Sequence, residues 1–296
     1  MKSKKQLHVH LYQVATEKGS ETISDRLTRI SNELLADRNR RLGYSMRLED
    51  FRAPTKTRPY WLLDFVKLNF DGGPGKAGLQ KPAESFDLSD EEGFSEETAV
   101  LLDPKTSFAV VQYNHQGPRA QAIAEYLGIF ASQPQAGYEF LLQLRQDAQA
   151  RLKDKKIFSR LVMGVAPARL SDAYRKKYIS MTSMLELQTR TFGGDVVTIT
   201  IALERGRNKK ATLSLKKYLG AFFGLANEDQ DAVKTLKIAG RDNAGESIDL
   251  VDLLSEKEQK SFSGLEMDSG LRYLRKERWA RLESAFSEWK AQKVIS

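Results

Sequence analysis

The sequence contains no cysteine and only three histidines, and these absences exclude several kinds of chemistry. Without cysteine there is no disulfide framework and no thiol nucleophile. His8 and His10 form an H-x-H pair on one predicted strand, but a metal site needs a third or fourth ligand, and only His115 remains. None of the three histidines stands in the context of a serine nucleophile, as a hydrolytic triad requires. The sequence therefore predicts no catalytic residue, no metal and no cofactor.

Long hydrophobic runs are also absent. No stretch approaches the roughly 18 to 20 apolar residues of a membrane-spanning helix. The basic start, MKSKKQLHVH, lacks the apolar core of a signal peptide. These two absences predict a cytoplasmic protein with no direct insertion into a membrane.

A glycine-rich segment at residues 71–78, DGGPGKAG, has a superficial likeness to a phosphate-binding loop. Such a loop needs a serine or threonine after its lysine, and a helix behind it. Here Ala77 follows Lys76, and the sequence beyond does not predict a helix. We expect a flexible loop rather than a nucleotide site.

Positive charge is abundant and concentrated in one part of the chain. The 296 residues carry a net charge of +8, whereas residues 151–220 alone have 16 lysines and arginines against 5 acidic residues, a net charge of +11. A basic region of this kind favours polyanions such as nucleic acid.

The most basic part lies in residues 195–220, between a predicted strand and a predicted helix. Val197, Ile199 and Ile201 alternate with small polar residues as in a strand, and Ser214 precedes a helical apolar pattern. Cations held between two anchored elements suit contacts with backbone phosphates, although a solvated turn remains the alternative. The predicted nucleic-acid-binding residues are Lys153, Lys155, Lys156, Arg175, Lys176, Lys177, Arg205, Arg207, Lys209, Lys210, Lys216 and Lys217.

Hairpins and separate helices alternate irregularly, which predicts an α+β fold with mixed, largely antiparallel sheets and flanking helices. We expect an N-terminal α+β domain at 1–150 and a basic α+β domain at 151–296 that ends in an amphipathic helix. The predicted strands are 6–14, 60–70, 98–103, 106–115, 138–145 and a pair within 235–254; the predicted helices span 23–34, 118–130, 167–174 and 269 onward, and 146–156 is a candidate linker.

Two acidic features lie before residue 100. Residues 84–97 hold seven acidic residues and no basic one, which is typical of a solvated loop; the alternative is a strip that folds over the basic region and competes with DNA. Asp64 and Lys67, on the predicted 60–70 strand, are the nearest approach to a metal-dependent nuclease site. Their three-residue spacing places them on opposite faces of a strand, against that role.

Several segments resemble the RexA-like family of temperate-phage exclusion proteins. They are LLADRNRRL at 34–42, the strand, loop and helix that end in KYLGAFFG at 217–224, and LLSEK at 253–257 before a terminal amphipathic helix. The resemblance implies a two-domain homodimer that binds double-stranded DNA without sequence preference and changes conformation around it. A KwaB-like anti-phage DNA-binding protein is a related alternative. Neither resemblance transfers a catalytic motif.

The sequence thus favours a non-enzymatic protein that binds duplex DNA through phosphates, in phage exclusion or anti-phage defence. A metal-dependent nuclease and a regulatory module that binds an acidic protein are the alternatives. A membrane protein or a defence-system protein is left open as a further partner.

Overall fold

The structure is a computed structural model that describes residues 6–16, 21–78, 81–130, 137–170, 172–203, 213, 232–242 and 249–295. The chain divides into two compact units. Unit 1 comprises Met1–Phe140 and Lys260–Ser296, and unit 2 comprises Leu141–Gln259. Unit 2 therefore begins at Leu141 rather than at the predicted residue 151. The C-terminal segment belongs to unit 1 rather than to the basic domain.

Strands form the larger part of both units. In chain order they are β1 (Gln6–Thr16), β2 (Arg40–Arg41), β3 (Ser45–Arg52), β4 (Trp61–Asn69), β5 (Lys76–Gly78), β6 (Lys81–Glu84), β7 (Phe94–Asp103), β8 (Phe108–Tyr113), β9 (Tyr138–Leu142), β10 (Ile157–Val165), β11 (Val197–Ala202), β12 (Val233–Arg241), β13 (Asp249–Asp252) and β14 (Gln259–Ser263). The described α-helices are α1 (Ile23–Ser31), α2 (Ala120–Ile129), α3 (Gln146–Asp154), α4 (Asp172–Lys177), α5 (Ile179–Phe192) and α6 (Arg275–Ala291). Short 3-10 turns occupy Ala36–Arg38 and Pro167–Arg169.

The strands form one large sheet, one sheet of four strands and one small hairpin. The large sheet has the order β14-β1-β8-β7-β4-β3-β2, with β9 beside β1; the four-stranded sheet has the order β11-β10-β12-β13; β5 pairs with β6. The registered pairs are antiparallel, including the predicted hairpin β7–β8 and the predicted pair β12–β13. The predicted α+β fold with largely antiparallel sheets is confirmed.

Helices cover both faces of the large sheet in unit 1, because its central strands are apolar on both sides. On β4, Phe65 contacts Tyr126 of α2, and the Trp61 indole donates to Ser24 Oγ of α1. Leu62, on the opposite face, packs in a core with Trp279 and Phe286 of α6. This apolar seam is why the C-terminal helix belongs to unit 1.

Two predicted helices are shorter than their apolar patterns suggested. α1 ends at Ser31, so that Leu34, expected on its apolar stripe, is 75% exposed. α6 begins at Arg275 rather than near Ser269, and Leu271 is 70% exposed in the segment before it. Both leucines fit the helical period but lie outside the helices.

The four-stranded sheet of unit 2 has its core on one face. Leu161 and Met163 of β10 pack there with Leu236 and Ile238 of β12. Helices α3, α4 and α5 supply the opposite layer of this core, through residues that include Ala148, Leu152, Tyr174 and Leu185.

The prediction of a linker at residues 146–156 is wrong over most of its length, since residues 146–154 form α3. Its polar composition hid a narrow apolar stripe of Ala148 and Leu152, both buried in the core. Tyr174 is fully buried and lies 4.7 Å from Tyr178 between ring centroids.

None of the described helices has both the length and the hydrophobicity that crossing a bilayer requires.

Candidate nucleic-acid interface

The four-stranded sheet of unit 2 has a second face, opposite its helices, which we call the open face. Strand register defines it: Arg160 lies between Ala202 and Ala239, and Val162 lies between Thr200 and Lys237. Because side chains alternate along a strand, these residues point away from the core that holds Leu161. The open face comprises Arg160, Val162, Gly164, Thr198, Thr200, Ala202, Thr235, Lys237, Ala239, Leu250 and Asp252.

Charge on the open face is positive and its polar groups are small. Arg160 is exposed. Lys237 Nζ lies 3.5 Å from Asp252, the one acidic side chain in the described part of this face. The threonine hydroxyls can donate to phosphate oxygens, as Ser and Thr do in protein–DNA contacts. The described part of the face therefore presents the exposed guanidinium of Arg160 among threonine hydroxyls, while its one acid, Asp252, lies beside Lys237.

The two residues that flank the basic segment 204–212 are both bound to the start of β10. The segment's own residues lie outside the described part of the chain, but its two flanking residues are described. Leu203 N donates to Ser159 O at 2.9 Å, and Leu213 N donates to Phe158 O at 2.9 Å. Both ends of the segment are thus fixed to the start of β10, next to Arg160 and to the exposed Lys156.

Lys155, one of the predicted phosphate contacts, is instead a structural residue. Its side chain is 4% exposed and its Nζ lies 2.8 Å from Asp249. Arg151 binds the same carboxylate through two nitrogens at 3.0 Å. Hydrogen bonds from Arg151 and then from Lys155 lower the pKa of Asp249 to about 2. Lys155 is therefore committed to a carboxylate inside unit 2, and its placement on a binding surface is wrong.

Arg175 is likewise bound within the helical layer. Its Nε donates to Leu170 O at 3.0 Å and its Nη2 donates to Pro167 O at 2.6 Å, while Nη1 pairs with Glu186. The neighbouring Lys176 is exposed, but α4 lies on the core side of the sheet. Arg175 and Lys176 therefore do not belong to the open face.

The side chains of the remaining predicted contacts lie outside the described part of the chain. The backbones of Lys153 and Lys177 belong to α3 and α4, but their side chains lie outside the description. The same holds for the whole of Arg205, Arg207, Lys209, Lys210, Lys216 and Lys217.

Arg160 is the exposed arginine of the open face that the sequence prediction missed. It interrupts the apolar run of KIFSRLVMGV at a position where a strand directs it to the face opposite the core. A bulge between Phe158 and Arg160 shifts the alternation by one residue, which obscures that pattern.

A second charged cluster lies inside unit 1 and concerns the nuclease alternative. Asp64 is fully buried, and Arg278 binds its two oxygens at 2.7 Å each. Arg275 Nε adds a contact of 2.6 Å to Asp64, and its Nη1 reaches Asp50 at 2.7 Å. Arg278 Nη2 also donates to Glu97, whose pKa is raised by burial.

These carboxylates lie on neighbouring strands but are neutralised by arginines from α6. Lys67 is on the other face of β4, with its Nζ 4.6 Å from the centroid of the Tyr44 ring, as its spacing from Asp64 predicted. Over the described ranges no group of three or more His, Asp or Glu side chains is arranged to hold a metal ion. The cluster therefore joins α6 to the sheet, and nothing in its geometry favours a nuclease centred on Asp64.

The histidines also have described contacts. His10 is buried and stacks on Tyr113 at 5.3 Å between ring centroids. His8 Nδ1 lies 2.7 Å from Ser261 Oγ across two strands, a serine–histidine pair that the sequence prediction missed because 253 residues separate its members.

Fold and site together define a two-unit α+β protein whose second unit presents an open, basic sheet face. The chain belongs to the family of unknown function DUF6731, whose model matches residues 2–277. No curated protein matches the sequence. The family match carries no assigned activity, so the resemblances to RexA-like and KwaB-like proteins stay predictions.

Proposed function

We propose that unit 2 binds double-stranded DNA through its phosphates, with the open face and the basic segment 204–212 as the contact surface. The observation that carries the proposal is that Leu203 and Leu213 fix both ends of this segment beside Arg160. The segment contains four cations and one acid, so positive charge is concentrated in the sequence between these two anchored residues.

Phosphate contact rather than base readout is what these groups support. Lysine, arginine and threonine side chains on a sheet face position a duplex through its backbone, whereas specific reading needs side chains directed at base edges. We therefore propose binding without sequence preference. From the resemblance stated above, we further propose phage exclusion or anti-phage defence as its setting.

The proposal is tested with two unrelated random-sequence duplexes and the full chain at several salt concentrations. Binding of both duplexes should weaken steeply with salt, because counterions return to the DNA; each phosphate contact contributes about 0.9 to the slope of log K against log salt. An absence of binding at low salt would contradict the proposal. A large preference for one duplex would show that base readout had been overlooked.

Charge reversal then locates the surface. Arg160→Glu should weaken binding to both duplexes and lower the salt slope by about 1. Arg190→Glu is the matched control, because Arg190 is an exposed arginine of unit 2 on α5, in the helical layer. Equal losses in the two variants would mean that only the overall charge matters. Reversal of Arg205, Arg207, Lys209 and Lys210 together should reduce binding further than Arg160→Glu alone.

A further inference from the structure

We infer that two copies of the chain join through β11, which pairs with itself across a two-fold axis. The strand lies at one edge of the four-stranded sheet, with β10 as its neighbour among the described strands. Its sequence, VTITIA, has no charged residue and no proline. Thr198, Thr200, Ile201 and Ala202 are exposed. An edge strand is a ready template for another strand, and over the described residues β10 is the one strand that pairs with β11.

The other edges in the described part of the sheets carry the charges that discourage pairing. The opposite edge of the same sheet, β13, has four residues and two of them are Asp249 and Asp252. In the large sheet, β14 contains Lys260, β2 consists of two arginines and β9 contains Glu139. Charged or very short edges are the usual protection against edge-to-edge association. β11 has neither protection, which fits a strand that is covered in the assembled protein.

The hydrogen bonds between β11 and β10 show which backbone N–H and C=O groups of β11 point toward a second strand. Leu203 N donates to Ser159 O, so Leu203 is a hydrogen-bonded position opposite β10. Antiparallel bonding alternates, and Ile201, Ile199 and Val197 are therefore the residues bonded to β10. The N–H and C=O groups of Thr198, Thr200 and Ala202 then point outward. These are the groups that a second strand would bind.

A second copy of β11 satisfies these groups symmetrically. With Thr200 opposite Thr200, Thr198 of each copy meets Ala202 of the other, and all are outward hydrogen-bonding positions. Ile199 then lies beside Ile201 of the other copy on the core side, as one apolar pair on each side of the axis. A two-fold interface requires this kind of self-complementary surface.

Helix α5 supplies the area that one short strand lacks. A stable interface buries about 800 Å² on each partner, which is more than a six-residue strand provides. α5 lies against β11 and buries only Thr182 and Leu185, while Ile179, Met184, Leu187 and Phe192 are exposed. Val196, between α5 and β11, and Ile201, on β11, are exposed as well. The four helical side chains lie on several sides of α5, so those that border β11, together with Ile201, supply the apolar contribution to the dimer.

The dimer would also double the open face. Joining two β11 strands makes one continuous sheet of eight strands, in which both copies of Arg160 face the same side, with threonines between them. The inference does not rest on the proposed DNA binding, but it would give that function a single surface with two-fold symmetry, matched to the symmetry of a duplex.

The test is the mass of the full chain without DNA, measured by light scattering and sedimentation across a range of concentrations. The wild type should weigh twice the 33.5 kDa of one chain. Thr200→Pro should raise the dimer dissociation constant at least tenfold, because it removes an outward N–H and leaves the bonds to β10 in place. The matched control, Thr200→Val, keeps that N–H and should remain dimeric.

Ile201→Glu tests the apolar contact independently, since Ile201 is 45% exposed in the single chain and lies beside Ile199 of the other copy in the proposed register. It should also dissociate the dimer, while thermal unfolding shows that the chain is folded. A monomeric wild type, or unchanged association in both Thr200→Pro and Ile201→Glu, overturns the inference. Because no DNA is present, either result leaves the phosphate-binding test independent.

Discussion

Arg278 and Asp64 form a two-point ion pair in the interior of unit 1, with Nη1 2.7 Å from Oδ1 and Nη2 2.7 Å from Oδ2. Arg278 is on the first turn of α6 and Asp64 is on the central strand β4. The pair thus connects the end of the chain to the middle of the large sheet. Arg275 strengthens the connection by binding the same carboxylate.

We expect Arg278→Met to destabilise the protein by about 3 kcal/mol, because removing one partner leaves a buried carboxylate with less compensation. Equilibrium urea unfolding measures this change. Arg272→Met is the control: Arg272 is half-exposed and lies 3.9 Å from Glu97, a weak surface-type pair worth less than about 1 kcal/mol. Equal effects of the two substitutions would contradict the structural role of the buried pair.

The same pair changes how a nuclease experiment is interpreted. Asp64→Ala would leave Arg278 buried without its main partner, so the variant should lose stability by several kcal/mol. Loss of any activity in that variant would then report unfolding rather than catalysis.

Gly240 is required where β12 passes close to the stem of Lys155. A Cβ at this position would lie 2.7 Å from Lys155 Cδ and 2.8 Å from the Ile157 carbonyl oxygen. Gly240→Ala should therefore displace Lys155 from Asp249 and cost about 1 to 3 kcal/mol, the usual range for overpacking. Gly194→Ala is the control, because its nearest neighbour would be 3.9 Å away. Thermal unfolding compares the two, and equal stability would show that the backbone relaxes freely.

Local sequence patterns predicted the strands and helices of this fold better than the way in which they pack together. Alternation found β11 and the hairpin β7–β8, since both are governed by neighbouring residues. Two helix lengths were wrong because Leu34 and Leu271 continue an apolar period beyond the helical backbone. The sheet on which α6 packs could not be predicted, because an apolar stripe does not specify its partner. The buried pair of Asp64 and Arg278 depends on that docking and was missed with it.

The sequence predicted the region of the candidate interface but not its individual residues. Net charge pointed to residues 151–220, but charge alone does not separate a phosphate contact from an internal ion pair. Lys155 and Arg175 have the same local composition as the exposed Lys156, yet both bind groups within unit 2. Arg160 required knowledge of the strand register, which a bulge displaced.

Lys257 should make stability depend on pH in the alkaline range. Burial lowers the pKa of this lysine from 10.5 to about 8. Below about pH 8 the amine is charged in both the folded and unfolded states, and the folded state bears the full cost of burying it. Between about pH 8 and 10.5 the unfolded state binds more protons, so the contribution of Lys257 to stability improves as the pH rises.

Lys257→Met should consequently be more stable than the wild type at pH 7, by an amount on the order of 3 kcal/mol for a shift of this size. The difference should shrink as the pH approaches 10.5. Lys257→Arg serves as the control, because arginine stays charged and should show no such recovery. Denaturant unfolding at pH 7 and pH 10 measures both, and a difference independent of pH would contradict the lowered pKa.

The acidic strip at residues 84–97 stays a predicted competitor of DNA, but its test has to respect the fold. Glu96 and Glu97 belong to β7, where they contact Asn114 and Arg278, so deleting the strip would remove part of a central strand. The exposed acids at 85–93 can be neutralised instead. Asp87→Asn, Asp90→Asn and Glu91→Gln together should raise DNA affinity several-fold at moderate salt, because a neutralised strip competes less with the phosphates for the basic region.

A second triple variant gives the comparison that decides between local competition and bulk charge. Asp37→Asn, Asp71→Asn and Glu266→Gln change the net charge equally at exposed positions outside the strip. Competition by the strip predicts a larger gain for the first triple, and the gain should fade at high salt as the charges are screened. Equal gains from both triples would mean that the strip acts only through the net charge of the protein. No gain from either triple would mean that the strip has no effect on DNA binding.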